Sequence, residues 1–240
     1  EAVGGRNGQC LGLYGFSEDG AIRADNITDW ALSEFRSHYG DSGITKEQLF
    51  SYTYAILHHP AFRNHFAENL RSGIPRIPLA KDFRTCVGIG ERLIDLHVNY
   101  ENAERFDLAW VESQDVPLTT KVKSRMVLDK DAGTIVVNDS LTLEGIPKDA
   151  FEYVLGTRAA LEWVVDQYRC EEDAEGNMTS DCNDPEDDAY VVNLIERVTT
   201  VSIETMSLIA ALPQDVEFIG PNTGTVMPED THDEEDLVEQ

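Results

Sequence analysis

Apolar side chains recur every three or four residues through the first half of the chain, which predicts a series of amphipathic helices. The first helix begins near Asn26, with Asn26 or Thr28 as its N-cap, and ends before Gly40. Thr45 and Gln48 have the spacing of a capping box, which opens a second helix. This half of the sequence is therefore predicted to be helical.

The second helix is predicted to bury a stripe that contains Phe50, Tyr54 and Leu57. The segment RSGIPRIPLA (71–80) contains two prolines, which exclude a helix, so we expect an extended crossing there. Helical spacing returns over 82–100. Two helices are thus expected to flank an irregular segment.

After Trp110 the apolar period changes to two, which is typical of strands. Residues 121–128 (KVKSRMVL) alternate between charged and apolar side chains, DKDAG supplies a turn, and TIVVN returns, which predicts an antiparallel hairpin. Leu141–Leu143 are predicted to add a third strand. A helix capped by Thr157 and a long helix ending at Pro213 should follow.

These elements predict an α+β fold in which several helices pack around a small antiparallel β-sheet. We expect residues 1–25 to connect to a preceding domain, residues 26–213 to form the folded domain, and residues 214–240 to be a disordered acidic tail. The sequence begins with Glu1 and shows no signal segment or apolar run near 20 residues, so we expect a cytoplasmic piece of a longer protein, with no membrane partner.

Acidic residues are concentrated toward the C-terminal end. The formal net charge is −26, but residues 26–130 carry 13 basic and 14 acidic side chains, whereas residues 170–240 carry one basic and 20 acidic side chains. Screening over about 8 Å at physiological salt lets a basic patch act independently of a distant acidic segment. The net charge therefore does not exclude a nucleic-acid ligand.

Sequence patterns for catalysis or metal binding are missing. The chain lacks G-x-x-x-x-G-K-[ST], G-x-S-x-G and H-E-x-x-H, and the single G-x-G at Gly88 and Gly90 has no preceding strand. The four cysteines include no C-x-x-C pair and are interpreted as buried or incidental thiols, with a bridge conceivable only between Cys170 and Cys182. The histidines at a predicted helix junction, His58, His59 and His65, fit helix capping better than metal binding. We therefore expect no metal, cofactor or catalytic site in this chain.

Two groups of cations carry the candidate nucleic-acid chemistry. On a strand, Lys121, Lys123 and Arg125 would face one side at intervals of about 6.8 Å and could follow a phosphate backbone. The alternative is an exposed sheet face made soluble by its lysines. The second group brackets the proline-rich crossing and consists of Arg71, Arg76, Lys81 and Arg84. Candidate amides for adenine are Asn69, Gln114 and Asn138.

Four ordered blocks of this sequence resemble the C-terminal specificity domain of type ISP restriction-modification enzymes. The blocks are NITDWALSEFRSHYGDSGITKEQLFSYTYAILHHPAFRNHFAENLRSGIPRIPL, LIDLHVNYE, LEGIPKDAFEYVLGTRAALEWVVDQY and VVNLIERVTTVSIETM. The similarity extends over roughly residues 26–212. Members of the family join a nuclease, a helicase-like ATP-driven translocase, an adenine methyltransferase and a target-recognition domain in one polypeptide.

The resemblance implies that this chain is a non-catalytic target-recognition domain that binds duplex DNA and contacts the methyltransferase and translocase domains of its parent. It also implies that ATP, Mg and S-adenosylmethionine serve the parent rather than this chain. Two alternatives belong to other classes: an acidic protein-interaction module or DNA mimic, and a nuclease or methyltransferase fragment.

Overall fold

The first half of the described chain is helical, as its apolar period predicts. The computed structural model describes residues 12–16, 20, 23–67, 76–214 and 216–217. The first helices are α1 (Asp29–Tyr39), α2 (Lys46–His58), α3 (Pro60–His65) and α4 (Phe83–Val98). Thr28 caps α1 by accepting a hydrogen bond from the backbone N–H of Ala31 (3.2 Å), and Gly40 ends that helix with a φ of 61°. The capping box of Thr45 and Gln48 is confirmed.

The stripe predicted for α2 is wrong, because Leu57 is 36% exposed and the buried face instead carries Leu49, Tyr52 and Ile56. Tyr52 can be buried because both roles of its hydroxyl are satisfied. The hydroxyl donates to the carbonyl oxygen of Pro78 (2.6 Å) and accepts from the backbone N–H of Ala80 (2.7 Å). The extended end of the proline-rich crossing is thereby fixed against α2.

Helix α4 approaches α2 closely at a glycine. A Cβ atom on Gly90 would overlap the carbonyl oxygen of Ser51, whereas a Cβ atom on Gly88 would meet no heavy atom within 4 Å. The G-x-G pair therefore lies within a helix, and its second glycine is required for helix packing.

The second half of the chain contains a four-stranded antiparallel sheet. Its strands are β4 (Ala109–Glu112), β5 (Val127–Asp129), β6 (Thr134–Val136) and β7 (Leu141–Glu144), in the spatial order β4-β7-β6-β5. The predicted hairpin and third strand are confirmed, although β5 is shorter than expected. Strand β4 is an additional member, and the indole N–H of Trp110 in it donates to the buried carboxylate of Glu196 (2.8 Å).

Short strand pairs and two further helices complete the fold. The helices are α5 (Ala160–Gln167) and α6 (Tyr190–Ala210), with 3-10 turns at Tyr100–Asn102 and Lys148–Phe151. The antiparallel pairs are β1 (Tyr14–Phe16) with β2 (Arg23–Asp25), β3 (Leu79–Ala80) with β12 (Val216–Glu217), β8 (Val154–Leu155) with β9 (Arg158–Ala159), and β10 (Glu171–Glu172) with β11 (Met178–Ser180). The α+β class is confirmed.

The predicted cap of α5 is wrong, since Thr157 lies in the turn between β8 and β9 and α5 begins at Ala160. Glu162 supplies the cap by accepting a hydrogen bond from the backbone N–H of Ala159 (2.7 Å). The described part of the predicted connector pairs β1 with β2, and its Asp25 forms an ion pair with Lys46 of α2 (3.0 Å). The predicted tail from residue 218 onward lies outside the described residues.

Helix α6 is shared by two hydrophobic clusters. Its first part, including Leu194 and Ile195, packs with the sheet and α5, while Leu208 packs with α2 and α4. Two buried hydroxyl side chains lie between these parts, Thr199 and Ser202. Each donates a hydrogen bond to the carbonyl oxygen four residues earlier in α6. The helix therefore crosses from one cluster to the other without leaving these buried polar groups unpaired.

His97 of α4 ties the same junction together. One ring nitrogen bonds the hydroxyl of Tyr54 and the other bonds the hydroxyl of Thr205, both at 2.8 Å, and the imidazole stacks on Tyr153 with ring centroids 5.2 Å apart. Burial, with a smaller contribution from the nearby His58, lowers the pKa of His97 to about 4. The folded chain therefore holds this imidazole neutral.

We expect Gly90→Ala to lower the free energy of unfolding by about 3 kcal/mol, because the new methyl group must separate α2 from α4. Gly88→Ala, two residues away on the same helix, is the matched control and should raise stability by about 0.5–1 kcal/mol through helix propensity. Urea unfolding followed by circular dichroism measures both changes. Equal stabilities of the two variants would contradict the close approach at Gly90.

We expect the free energy of unfolding to fall as the pH is lowered from 6.5 toward 4. Between these values the unfolded chain protonates His97, whereas the folded chain, with its lowered pKa, does not. His97→Gln should show a shallower decline, with part of the slope retained by His58, whose pKa burial also lowers. Urea unfolding at pH 7 and pH 5 measures the difference, and identical slopes would exclude His97 as a cause.

Candidate nucleic-acid interface

Three of the four cations predicted around the proline-rich crossing lie within the described residues, and Arg71 lies outside them. Arg76 is exposed on the crossing, Lys81 is exposed directly after β3, and Arg84 is exposed in the first turn of α4. The guanidinium group of Arg84 forms an ion pair with Asp41. This group belongs to the helical half of the fold.

The segment that carries Lys121, Lys123 and Arg125 is not a strand, contrary to the prediction. Strand β5 begins only after these cations. The side chain of Asn183 accepts from the backbone N–H of Val122 and donates to its carbonyl oxygen, both at 2.8 Å. This asparagine thus satisfies backbone groups that a neighbouring strand would otherwise bind, and the segment follows an irregular path.

Asn138 holds the same segment from the other side. Its amide donates to the carbonyl oxygens of Thr119 (2.9 Å) and Lys121 (2.8 Å), and its oxygen accepts from the backbone N–H and the hydroxyl of Ser140. These four hydrogen bonds use the full capacity of the side chain, so Asn138 is a structural residue rather than a reader of adenine. Gln114 is exposed after β4, and Asn69 lies outside the described residues.

The three cations still face solvent, because Val122 and Met126 alternate with them and are buried. Lys121 forms an ion pair with Asp188 (3.0 Å), and Lys123 forms one with Asp139 (2.7 Å). Each lysine is thus matched by its own carboxylate. Exposed pairs of this kind exchange readily with solvent and contribute little stability.

Arg125 belongs to a different arrangement, in which one carboxylate faces three guanidinium groups. Asp166 of α5 lies 3.2 Å from Arg125, 3.0 Å from Arg158 and 3.8 Å from Arg169. Arg169 also lies 2.7 Å from Glu171. We call Asp166, Arg125, Arg158 and Arg169 the Asp166 cluster. Within it the cations outnumber the central carboxylate.

A groove of about 580 Å³ lies between β5 and α5 beside this cluster, and Arg125, Arg158 and Asp166 contribute to its lining. Lys130 adds a further cation there and pairs with Glu162 (2.8 Å). This hydrogen bond is the main reason that the pKa of Glu162 is lowered. The groove is therefore lined by cations on both sides, with Arg125 and Lys130 flanking β5 and Arg158 in β9, directly before α5.

The candidates named from the sequence omit Lys130, Arg158 and Arg169. One local signal was present, since Glu162 and Asp166 are four residues apart and share a face of α5, and Arg158 lies four residues before Glu162, in β9. The approach of Arg125 and Lys130 has no such signal, because tertiary packing of β5 against α5 brings them together.

The histidines at the junction of α2 and α3 have the capping role that their position predicts. His59 is fully buried, accepts a hydrogen bond from the backbone N–H of Ala61 (3.1 Å) and donates one to the carbonyl oxygen of Pro213 (3.0 Å). His58 donates to the carbonyl oxygen of Tyr54 (2.8 Å). Across the described ranges, no group of three or more His, Cys, Asp or Glu side chains is placed to hold a metal ion.

The described cysteines are free thiols, as the sequence indicates, and they are Cys86, Cys170 and Cys182. The Sγ atoms of Cys170 and Cys182 lie 3.6 Å apart at the base of the β10–β11 hairpin. Burial is the main cause that raises the pKa of the Cys182 thiol to about 12. At neutral pH this thiol is therefore protonated. In the part of the chain that the structure describes, no helix is long and apolar enough to cross a membrane.

The chain belongs to the family of type ISP C-terminal specificity domains, whose model matches residues 1–195. This match confirms the resemblance given by the four sequence blocks. No curated protein matches the chain.

Three solved structures of larger proteins contain a similar fold. The DrdV–DNA complex contains a chain that is 33% identical to this one, with a TM-score of 0.70. The match covers 85% of this chain and 21% of that chain. A nuclease-deletion mutant of the type ISP restriction-modification enzyme LlaGI, in complex with a DNA substrate mimic, is 35% identical with a TM-score of 0.67. That match covers 85% of this chain and 18% of the LlaGI chain. The ATP-dependent type ISP restriction-modification enzyme LlaBIII bound to DNA is 30% identical with a TM-score of 0.70. That match covers 84% of this chain and 13% of the LlaBIII chain. This chain thus corresponds to about a fifth or less of each of these proteins.

We expect Asn183→Ala to lower the free energy of unfolding by about 1–3 kcal/mol, because it leaves the backbone N–H of Val122 unpaired and leaves its carbonyl oxygen with only the Cys170 thiol as donor. Limited trypsin digestion should also cut faster after Lys121, Lys123 or Arg125. Asn177→Ala is the control, since that side chain bonds only Asp173 within its own turn. Equal digestion rates for the two variants would show that Asn183 does not hold the segment.

Proposed function

We propose that this chain is the target-recognition domain of a type ISP restriction-modification enzyme and that it binds duplex DNA by reading a specific sequence. The observation that carries the proposal is the family match over residues 1–195. The similarity to three proteins described in complex with DNA or a DNA mimic supports it. In such a domain, phosphate contacts position the protein and contacts to base edges specify the sequence.

The chemistry of restriction and modification then belongs to other domains of the parent polypeptide. Nuclease, translocase and methyltransferase domains would supply catalysis with Mg, ATP and S-adenosylmethionine, while this chain selects the site. The coverage of 13–21% of the similar proteins supports this division of labour. The methyltransferase and translocase domains of the same polypeptide are the proposed protein partners.

Negative charge does not prevent this role, because the described carboxylates near the acidic hairpin are used locally. Asp173 accepts from the backbone N–H of Asn177 (2.7 Å), Asp181 from that of Asn183 (2.9 Å), and Asp184 from that of Glu186 (2.7 Å). These contacts are turn caps. The family match and the similarity to proteins in DNA complexes favour the DNA-binding function over that of a DNA mimic.

The seven cations named from the sequence stay a prediction as DNA contacts. Among them Arg125 is distinguished by its place in the Asp166 cluster, while Lys121, Lys123 and Arg84 each face a carboxylate. Phosphate can displace such exposed partners, because these ion pairs are weak.

Selection from a pool of randomised duplexes tests the proposal. We expect the chain to enrich one short sequence motif over non-specific duplex, and the affinity for that motif to fall steeply as salt rises. The comparison should include the parent enzyme, in which neighbouring domains contribute affinity. If neither the chain nor the parent carrying it selects a motif, the proposed function is wrong.

A further inference from the structure

The ratio of charges singles out the Asp166 cluster among the ion pairs of the described chain. Lys121, Lys123 and Arg84 are paired singly, and Lys46 faces two carboxylates, Asp25 and Asp29. At Asp166 the ratio is reversed, with three guanidinium groups around one carboxylate. Because Glu171 reaches only Arg169, a positive charge is left over.

The guanidinium groups of this cluster retain hydrogen-bonding capacity. Arg125 and Arg158 each donate one hydrogen bond to Asp166 within the described chain, although a guanidinium group has five N–H donors. Their side chains are 71% and 47% exposed, and that of Arg169 is 45% exposed. An incoming anion can therefore reach them from solvent.

Two contacts hold Arg158 in position before any ligand binds. Its guanidinium carbon lies 5.2 Å from the centroid of the Trp163 ring, and its Nη1 donates to Asp166 (3.0 Å). Trp163 is itself fixed, because its indole N–H donates to the carbonyl oxygen of Leu155 (3.0 Å). A side chain that is already ordered loses less conformational entropy on binding.

We propose that the Asp166 cluster binds the phosphodiester backbone of duplex DNA, with Arg125, Arg158 and Arg169 as the phosphate ligands and Asp166 as the residue that positions them. The inference rests on the proposed function and adds the contact site to it. A phosphodiester offers two free oxygens that match the paired N–H groups of a guanidinium. Lys130 lines the adjoining groove, where it is paired with Glu162.

The triple variant Arg125→Gln, Arg158→Gln and Arg169→Gln tests this assignment. We expect it to bind the selected duplex at least about 10-fold more weakly at physiological salt, and the slope of log K against log salt to flatten by about 2–3. The control variant Arg63→Gln, Arg92→Gln and Lys148→Gln removes the same number of exposed positive charges from other surfaces. It should change the affinity less than 2-fold. Thermal unfolding of both variants shows whether each retains its fold.

Asp166→Asn provides a second test with the opposite sign. The asparagine oxygen can still accept a hydrogen bond from Arg158, so part of the positioning is kept while the negative charge is removed. We therefore expect tighter binding to non-specific duplex and a steeper salt slope. If the cluster triple and its control lose affinity equally, or if neither loses any while the chain still selects its motif, the cluster is not the phosphate site and the proposed function stands.

Inorganic phosphate separates a DNA site from a general anion site. Its binding to the wild-type chain and to the cluster triple is followed by chemical-shift changes of the arginine Nε–H groups. If the wild type binds inorganic phosphate at the cluster but the triple binds duplex normally, the site serves free anions and the inference is overturned. If no motif is selected at all, the failure lies with the proposed function instead.

Discussion

The fold depends on α6 being buried by different partners at its two ends. Leu194 and Ile195 pack against the sheet, Leu208 packs against α2 and α4, and each such side chain stabilises the fold by about 1.5–3 kcal/mol. Between them, Thr199 and Ser202 satisfy their own hydroxyl groups, and Thr205 bonds His97. The helical half and the sheet half of the chain are therefore joined by packing, so that they should unfold together rather than as independent units.

The charge that a ligand meets on this chain depends on the local surface rather than on the net charge. A formal net charge of −26 describes the whole sequence, yet three guanidinium groups converge on one carboxylate at α5. Burial is modest there and the Debye length is about 8 Å, so carboxylates farther away are screened. Segments distant in sequence create the patch, because packing of β5 against α5 brings Arg125, just before β5, to Asp166 of α5, which also pairs with Arg158 of β9. This local excess of positive charge is what makes a DNA-binding role physically reasonable for an acidic protein.

Local sequence signals predicted the elements well, whereas side-chain destinations depended on tertiary contacts. The cap at Thr28, the capping box at Thr45 and the hairpin before Leu141 each follow from neighbouring residues, and all three are present. The buried stripe of α2 was predicted wrongly because the hydroxyl of Tyr52 has both of its hydrogen-bond partners on the proline-rich crossing, a tertiary contact that allows this side chain to be buried. The cationic segment was expected to be a strand because charged and apolar side chains alternate along it, and its apolar side chains are indeed buried and its cations exposed, as in a strand with one buried face. The amide of Asn183, more than 50 residues away in sequence, replaces the strand that would have paired with it.

Two asparagines hold residues 119–122 by their backbone groups, so the conformation of that surface segment does not depend on its own side chains. Asn138 and Asn183 bind only backbone groups there, so the path of the segment is set from outside. The outward-facing positions at Lys121 and Lys123 can then accept other residue types without rebuilding the scaffold. A surface organised in this way is evolvable: new chemistry can be installed one side chain at a time while the framework beneath stays unchanged.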